Sequence, residues 1–305
     1  MTATPRSMSE SLEGRVAAAL ARKVEPEVAA FASRLIDEDA LAVLFYGSNL
    51  RTGSLDGVLD FYILTTGPVQ SGIWPRVSYH EWTIADGRTL RAKVATMALA
   101  TFAAAAAGQL WDTTIWARFV QPSALAWSRS DDATSQIAQG VAQAARTAAR
   151  LAAALGPSAG LPDAYWRALF RATYAAEFRV ERAGREESIL SANRDHFDGL
   201  LPLALEAEGI AFDREGGGEI RPHMRADRRR GLQRWWAHRR RLGKPYNLVR
   251  LLRASTTFEG AAAYGAWKIE RHTGVAVPLT PWREAHPVLA APGVLWRVWR
   301  ARRQP

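Results

Sequence analysis

Apolar residues recur at helical spacing through residues 9–36 (Val16, Leu20, Val24, Val28, Phe31, Leu35) and predict a helix there. The pattern then changes. LAVLFYG, from Leu41 to Gly47, is a short, aromatic, continuous apolar run ending in glycine, as expected of a buried strand. The turn-rich SNLRTGSLDG follows, and then VLDFYILT (58–65) as a second strand, closed by Gly67–Pro68. VSYHEWTI and RTLRAKVATM predict two more strands joined by a hairpin turn at Asp86–Gly87. From about Leu99 onward the spacing is helical and alanine-rich. One long helix is expected over 133–155, stopped by Gly156–Pro157, and another from about Asp163 to Glu181. DREGGGEIRP (213–222) reads as a loop and linker. Beyond it lie a basic helix carrying Trp235–Trp236, a helix near 246–273 and a proline-punctuated tail. The expected fold class is α+β: a small mixed sheet, then a mainly helical region.

Length and composition fit this reading. The 305 residues suffice for about two domains, and 48% hydrophobic with 23% charged residues is the composition of a chain that folds. The expected organisation is 1–130 around the sheet, 131–220 helical, and 221–305 a basic C-terminal region. The chain contains no cysteine, which excludes disulfides, thiolate metal sites and thiol catalysis. The longest apolar run, Ala98–Ala107, is broken by Thr101 and is too short to cross a bilayer. The first residues lack a signal-peptide layout, and Glu10 and Glu13 argue against a mitochondrial transit peptide.

Charge is unevenly placed. From Arg221 to Pro305 there are 19 Lys+Arg against 4 Asp+Glu, a net of +15, while the whole chain carries +10. The preceding 220 residues therefore carry −5. A basic C-terminal third on a mildly acidic body suggests a polyanionic partner, either anionic lipid or nucleic acid, with solvated helix faces as the alternative. The segment VLWRVWRARR (294–303) alternates Trp and Val with Arg, a spacing compatible with an interfacial amphipathic helix. Packing of Trp296 and Trp299 on the body is the competing reading, and Trp235–Trp236 carries the same ambiguity.

The chemistry concentrates in Tyr46-Gly47-Ser48 and Leu59-Asp60-Phe61. A Gly-Ser turn after a strand presents backbone N–H groups and a hydroxyl to a phosphate. A carboxylate on the next strand can hold a divalent metal against the same phosphates. That is the arrangement of polymerase-β-like nucleotidyltransferases. The usual Asp-x-Asp pair is missing, since Tyr62 stands at the second position. Asp56 is the nearest other carboxylate, with a plain turn role as its alternative. A strand–turn–strand with no chemistry is the alternative for the whole motif.

The segment YGS followed by LDFYILTTGPVQ resembles the translocator assembly and maintenance family of mitochondrial-type phosphatidate cytidylyltransferases. The resemblance continues in order. RTLRAKVATM places Lys93 at a family lysine, and WDTTIWARFVQPSALAW matches through Arg118, Gln121 and Pro122. YAAEFRVE matches with Glu177 for an aspartate and Arg179 for an arginine. VRLLRASTTFEGAAAYGAWK, with Arg253 and Lys268, is similar to the closing block. Asn49 replaces a family glycine, and Glu259 stands where a lysine is usual.

The resemblance implies a magnesium-dependent transfer of the cytidylyl group from CTP to phosphatidic acid, giving CDP-diacylglycerol and pyrophosphate. Its implied roles place the triphosphate on Tyr46, Gly47 and Ser48, and magnesium on Asp60 with Asp56. Lys93 would neutralise phosphate charge beside Asp60 in the catalytic centre. Glu177, Arg179, Arg253 and Lys268 would complete the binding set, Arg253 and Lys268 on nucleotide or lipid phosphate and Glu177 as a further acid or an ion-pair partner of Arg179. The expected location is cytoplasmic, peripheral on the inner membrane, with no membrane span. The rival readings are a nucleotidyltransferase acting on RNA or protein, and a non-catalytic binding protein of the same fold.

Overall fold

The computed structural model describes residues 11–71, 76–111, 114–176 and 185–301. Five strands form one sheet: β1 (Ala40–Tyr46), β2 (Leu59–Thr65), β3 (Arg76–Thr83), β4 (Thr89–Ala98) and β5 (Ser123–Ser128), in the order β3-β4-β2-β1-β5. The β2–β4 pair is parallel and the other neighbours are antiparallel, so the sheet is mixed, as expected. The apolar runs of β1 and β2 are continuous because helices cover both faces. β5 lies where helix was expected. Its alternation is hidden by alanines, and its pairing with β1 sets its conformation.

The helix expected over 9–36 is two helices, α1 (Leu12–Leu20) and α2 (Pro26–Arg34). Pro26 starts the second, a position where a missing N–H costs nothing. The pair serves opposite faces of the sheet. Leu12, Val16 and Leu20 of α1 join the larger core, with Leu44, Tyr62 and Met97. Val28, Phe31 and Ala32 of α2 join the smaller core, with Val43, Phe45 and Phe61. One apparent periodicity thus belongs to two cores.

The larger core runs on into the helices. α4 (Leu99–Ala106), α5 (Thr114–Phe119), α6 (Asp131–Leu155), α7 (Pro162–Ala176), α8 (Arg185–Ala192), α9 (Arg194–Phe197) and α10 (Leu200–Ala207) follow. Ile137, Leu151, Trp166, Phe170 and Leu205 from these helices share that core with the sheet, across the boundary expected at 130. A short helix, α3 (Ser48–Thr52), occupies the turn after β1.

The expected linker 213–222 is instead a small antiparallel pair, β6 (Phe212–Arg214) and β7 (Ile220–Pro222). Ile220 is buried and exchanges backbone hydrogen bonds with Gly160, and its carbonyl accepts the Tyr165 hydroxyl at 2.9 Å. The glycines that signal a loop only supply the turn between the two strands.

The C-terminal third also differs from expectation. α11 (Ala226–Thr257) runs unbroken through Pro245, and α12 (Ala261–Thr273), α13 (Pro281–Ala285) and α14 (Pro287–Ala301) follow it. The break falls at 258–260, where the Glu259 carbonyl accepts the Tyr79 N–H at 2.8 Å and extends the β3 edge. The Trp235–Trp236 ambiguity resolves towards the body. Trp236 is buried edge-to-face on Trp116, with ring centroids 6.1 Å apart, and the Arg239 guanidinium stacks 3.9 Å from the Trp235 ring. α14 is different: Leu289, Trp296 and Trp299 are exposed, as is Trp282 on α13. No helix among the described residues is long and apolar enough to cross a membrane.

Candidate functional site

β1 ends at Tyr46, and Gly47 turns the chain into α3 with φ 91° and ψ −162°, a conformation open essentially to glycine alone. β2 lies antiparallel beside β1 and brings Asp60 opposite Tyr46. β4 lies parallel on the other side of β2 and brings Lys93 opposite Asp60. Side chains opposite one another share a sheet face. The sheet therefore carries a row Ser123–Tyr46–Asp60–Lys93–Tyr79 across its five strands.

The middle of this row forms the floor of a cavity of about 520 Å³ between the sheet and the helical layer. Tyr46, Gly47, Ser48, Arg51, Asp60 and Lys93 line one side. Thr114, Arg118 and Gln121 from α5 and its end, Thr173 and Tyr174 from α7, and Ser188, Ser191 and Asn193 from α8 and its end close the other. Gly47 and Asp60 are in intimate contact: a methyl at Gly47 would lie 2.9 Å from Asp60 Oδ2. The turn needs glycine for its backbone and also for the room the carboxylate takes.

Electrostatics set Asp60 apart. Burial raises its pKa above the ordinary carboxylate value, while the charges of Lys93 and Arg118 pull it back. Arg118 lies over the rings of Tyr46 and Tyr62, 5.0 and 5.8 Å from their centroids. Cations stacked on aromatic faces are partly desolvated and act strongly on an anion. Among the described residues, Asp60 is the one carboxylate lining the cavity, against the cations Arg51, Lys93 and Arg118. A polar, net positive cavity of this size suits a polyphosphate.

Among the described residues, no group of three or more His, Asp or Glu side chains is placed to hold a metal ion. Magnesium, however, commonly takes one or two protein carboxylates, with water and substrate phosphates completing the shell. Asp60 fits that limited role.

The structure brings together Tyr46, Gly47, Ser48, Asp60 and Lys93, and leaves other expected residues elsewhere. Asp56 is exposed outside the cavity, so it supplies no second ligand beside Asp60. The Asn49 amide holds its loop by donating to the Ser54 and Asp56 carbonyls, both at 2.8 Å. Asn49, the departure from the family glycine, is thus the buried clasp of this loop. Lys268 sits on α12 with its Nζ 5.7 Å from the Tyr264 ring, outside the cavity lining. Glu259 lies at the β3 edge and takes no charge from the cavity. Arg253 falls within α11, its side chain outside the described portion, and Glu177 and Arg179 lie outside the described residues.

Arg51 and Arg118 were not assigned a role from sequence, although Arg118 lies in a matched block. The polar residues of α7 and α8 carry no local signal, since only tertiary packing brings them over the sheet. No protein-family model matches the chain, and no curated protein matches it.

Proposed function

We propose that this chain is a magnesium-dependent nucleotidyltransferase that moves a cytidylyl group from CTP to phosphatidic acid at a membrane surface. One observation carries the reading: the Gly47–Ser48 turn and the desolvated Asp60 face one cavity, ringed by Arg51, Lys93 and Arg118. The order and content of the family-like blocks supply the nucleotide and the acceptor. Lys93, Asp60 and the Arg118 block, which are far apart in sequence, meet at this cavity.

The chemistry asks little of a general base. A phosphatidate oxygen, already ionised at neutral pH, attacks the α-phosphorus of CTP; the bond from that phosphorus to the bridging oxygen breaks, and pyrophosphate leaves with the electron pair. Positioning and charge neutralisation supply the rate. Ser48 and the turn hold the triphosphate, Asp60 holds the metal, and Lys93, Arg118 and Arg51 neutralise phosphate oxygens. Magnesium, when bound, contributes charge neutralisation on the triphosphate.

The C-terminal helices support a lipid acceptor. Trp282, Leu289, Trp296 and Trp299 are 55%, 68%, 58% and 51% exposed, beside Arg283, Arg297 and Arg300. Exposed tryptophan with arginine suits the headgroup zone of an anionic bilayer, as a protein peripheral on the cytoplasmic face of the inner membrane would need. Buried Trp236 weakens the case for RNA bases stacking on α11.

The test is incubation with each of the four nucleoside triphosphates, magnesium and phosphatidic acid vesicles, reading lipid product and pyrophosphate. CTP-dependent CDP-diacylglycerol, lost in Asp60→Ala, is expected. Turnover that survives Asp60→Ala removes Asp60 from the mechanism. The single lining carboxylate among the described residues favours one second reading, a nucleotide-binding protein without turnover. It would show CTP binding with no pyrophosphate release.

A further inference from the structure

A second cavity, of about 200 Å³, adjoins the first. Val16 and Leu20 of α1, Phe119, Val141 of α6 and Leu200 of α10 make its wall apolar, and each is buried. His196 lines it too. Its Nε2 donates to the Val120 carbonyl at 2.9 Å, and burial lowers its pKa to about 4, so at neutral pH the ring adds no charge to the wall. Among the described residues, the charged ones lining the cavity are Arg15, Arg22 and Asp195. Arg15 donates to the backbone carbonyls of Asp195 and His196, at 3.2 and 2.8 Å, which ties α1 to α9, and Arg22 is exposed.

Its position gives it meaning. Gln121 lines both cavities. Ser123, which lines the second, stands at the end of the cross-sheet row, two strands from Asp60. Two strand spacings are about 10 Å, the scale of a phosphoglycerol unit between a reacting phosphate and its acyl esters.

We propose that this second cavity receives the proximal part of an acyl chain of the acceptor lipid. The proposal rests on the transferase reading, and it turns a nucleotide site into one that recognises the hydrocarbon of its acceptor. A head group in the first cavity and a chain in the second would make the enzyme selective for an amphipathic phosphate over glycerol phosphate.

The test separates chain binding from catalysis. An environment-sensitive anionic probe, 11-(dansylamino)undecanoate, is titrated into full-length protein carrying Trp282→Ser, Leu289→Ser, Trp296→Ser and Trp299→Ser, so that these exposed apolar side chains of the tail do not compete. A saturable fluorescence rise, reversed by dioctanoyl phosphatidate but not by glycerol 3-phosphate, is expected. Filling the cavity with Ala145→Phe excludes about two methylenes of chain and weakens probe affinity about tenfold. Ala19→Trp, at a half-buried lining position on α1, does the same if Ala145→Phe fails to fold by circular dichroism. Magnesium–CTP binding stays unchanged in the folded variants. Saturable probe binding to the parent protein that yields no nucleotide-dependent lipid product with any of the four triphosphates would sink the transferase reading alone. Unchanged probe affinity in a folded cavity-filling variant, or equal displacement by glycerol 3-phosphate, overturns the proposal.

Discussion

Replacing Gly47 with alanine tests the join between fold and chemistry. The residue sits at φ 91° and ψ −162°, a region that costs a side-chain-bearing residue about 1–3 kcal/mol. Unfolding entropy of roughly 2.1 cal/mol/K per residue makes that about 2–5 °C in Tm for a chain of this length. The new methyl also lies 2.9 Å from Asp60 Oδ2, so the carboxylate must move. Gly87 is the control. It too has positive φ, at 85°, yet no atom lies within 4 Å of its would-be methyl. Thermal melts of Gly47→Ala and Gly87→Ala should therefore fall by similar small amounts. Titration with magnesium and a fluorescent CTP analogue should separate them: Gly47→Ala loses about tenfold or more in affinity, as for a site whose metal ligand has been displaced, and Gly87→Ala does not. Equal nucleotide affinity in the two variants would refute the claim that the turn and Asp60 act as one unit.

Other outcomes follow from the same geometry. Burial holds His196 at a pKa of about 4, below its ordinary value of 6.5. Between those values the unfolded chain takes up a proton that the folded protein refuses, so stability falls as pH drops from about 6.5 to about 4. The loss reaches at most about 3 kcal/mol, and urea melts of His196→Gln should show a flatter pH profile. Asp60→Asn removes a carboxylate that burial disfavours, so its melting temperature should equal or exceed the parent's while CTP-dependent turnover disappears. Trp236→Ala should cost about 3–5 kcal/mol by chemical denaturation, because the ring is buried against Trp116. The exposed Trp296→Ala should leave stability within about 0.5 kcal/mol of the parent, and flotation with anionic vesicles should show weakened binding instead.

The sheet was legible where burial on both faces left an unbroken apolar run, as in Val43–Phe45 and Phe61–Leu64. It was illegible at Ser123–Ser128, where alanine gives no contrast between faces and Pro122 ends the preceding segment. The split near Pro26 was hidden because α1 and α2 each keep helical spacing while facing different cores. The glycines at 216–218 overrode the signal of Ile220, whose burial depends on Gly160 and Tyr165, far away in sequence.

The candidate site divides the same way. Gly47, Ser48 and Asp60 announce themselves through a strand-end turn and a carboxylate in an apolar strand. Asp56 lies near Asp60 in sequence yet is exposed outside the cavity, in a loop clasped by Asn49, and no local pattern signals that placement. Ser188, Ser191 and Asn193 reach the cavity only through the packing of α8 on α7, which no local pattern encodes.

The β3 edge is met by the backbone of Glu259, which accepts the Tyr79 N–H. Strand and cover are about 180 residues apart, so a ribosome adding roughly 5–20 residues per second leaves the edge open for about 10–40 s. During that interval Val77, Tyr79 and Trp82 offer a neighbouring nascent chain an unsealed strand. Shortened forms ending before 258 would keep that exposure permanently, and their yield of dispersed material should suffer for a reason unrelated to the nucleotide cavity.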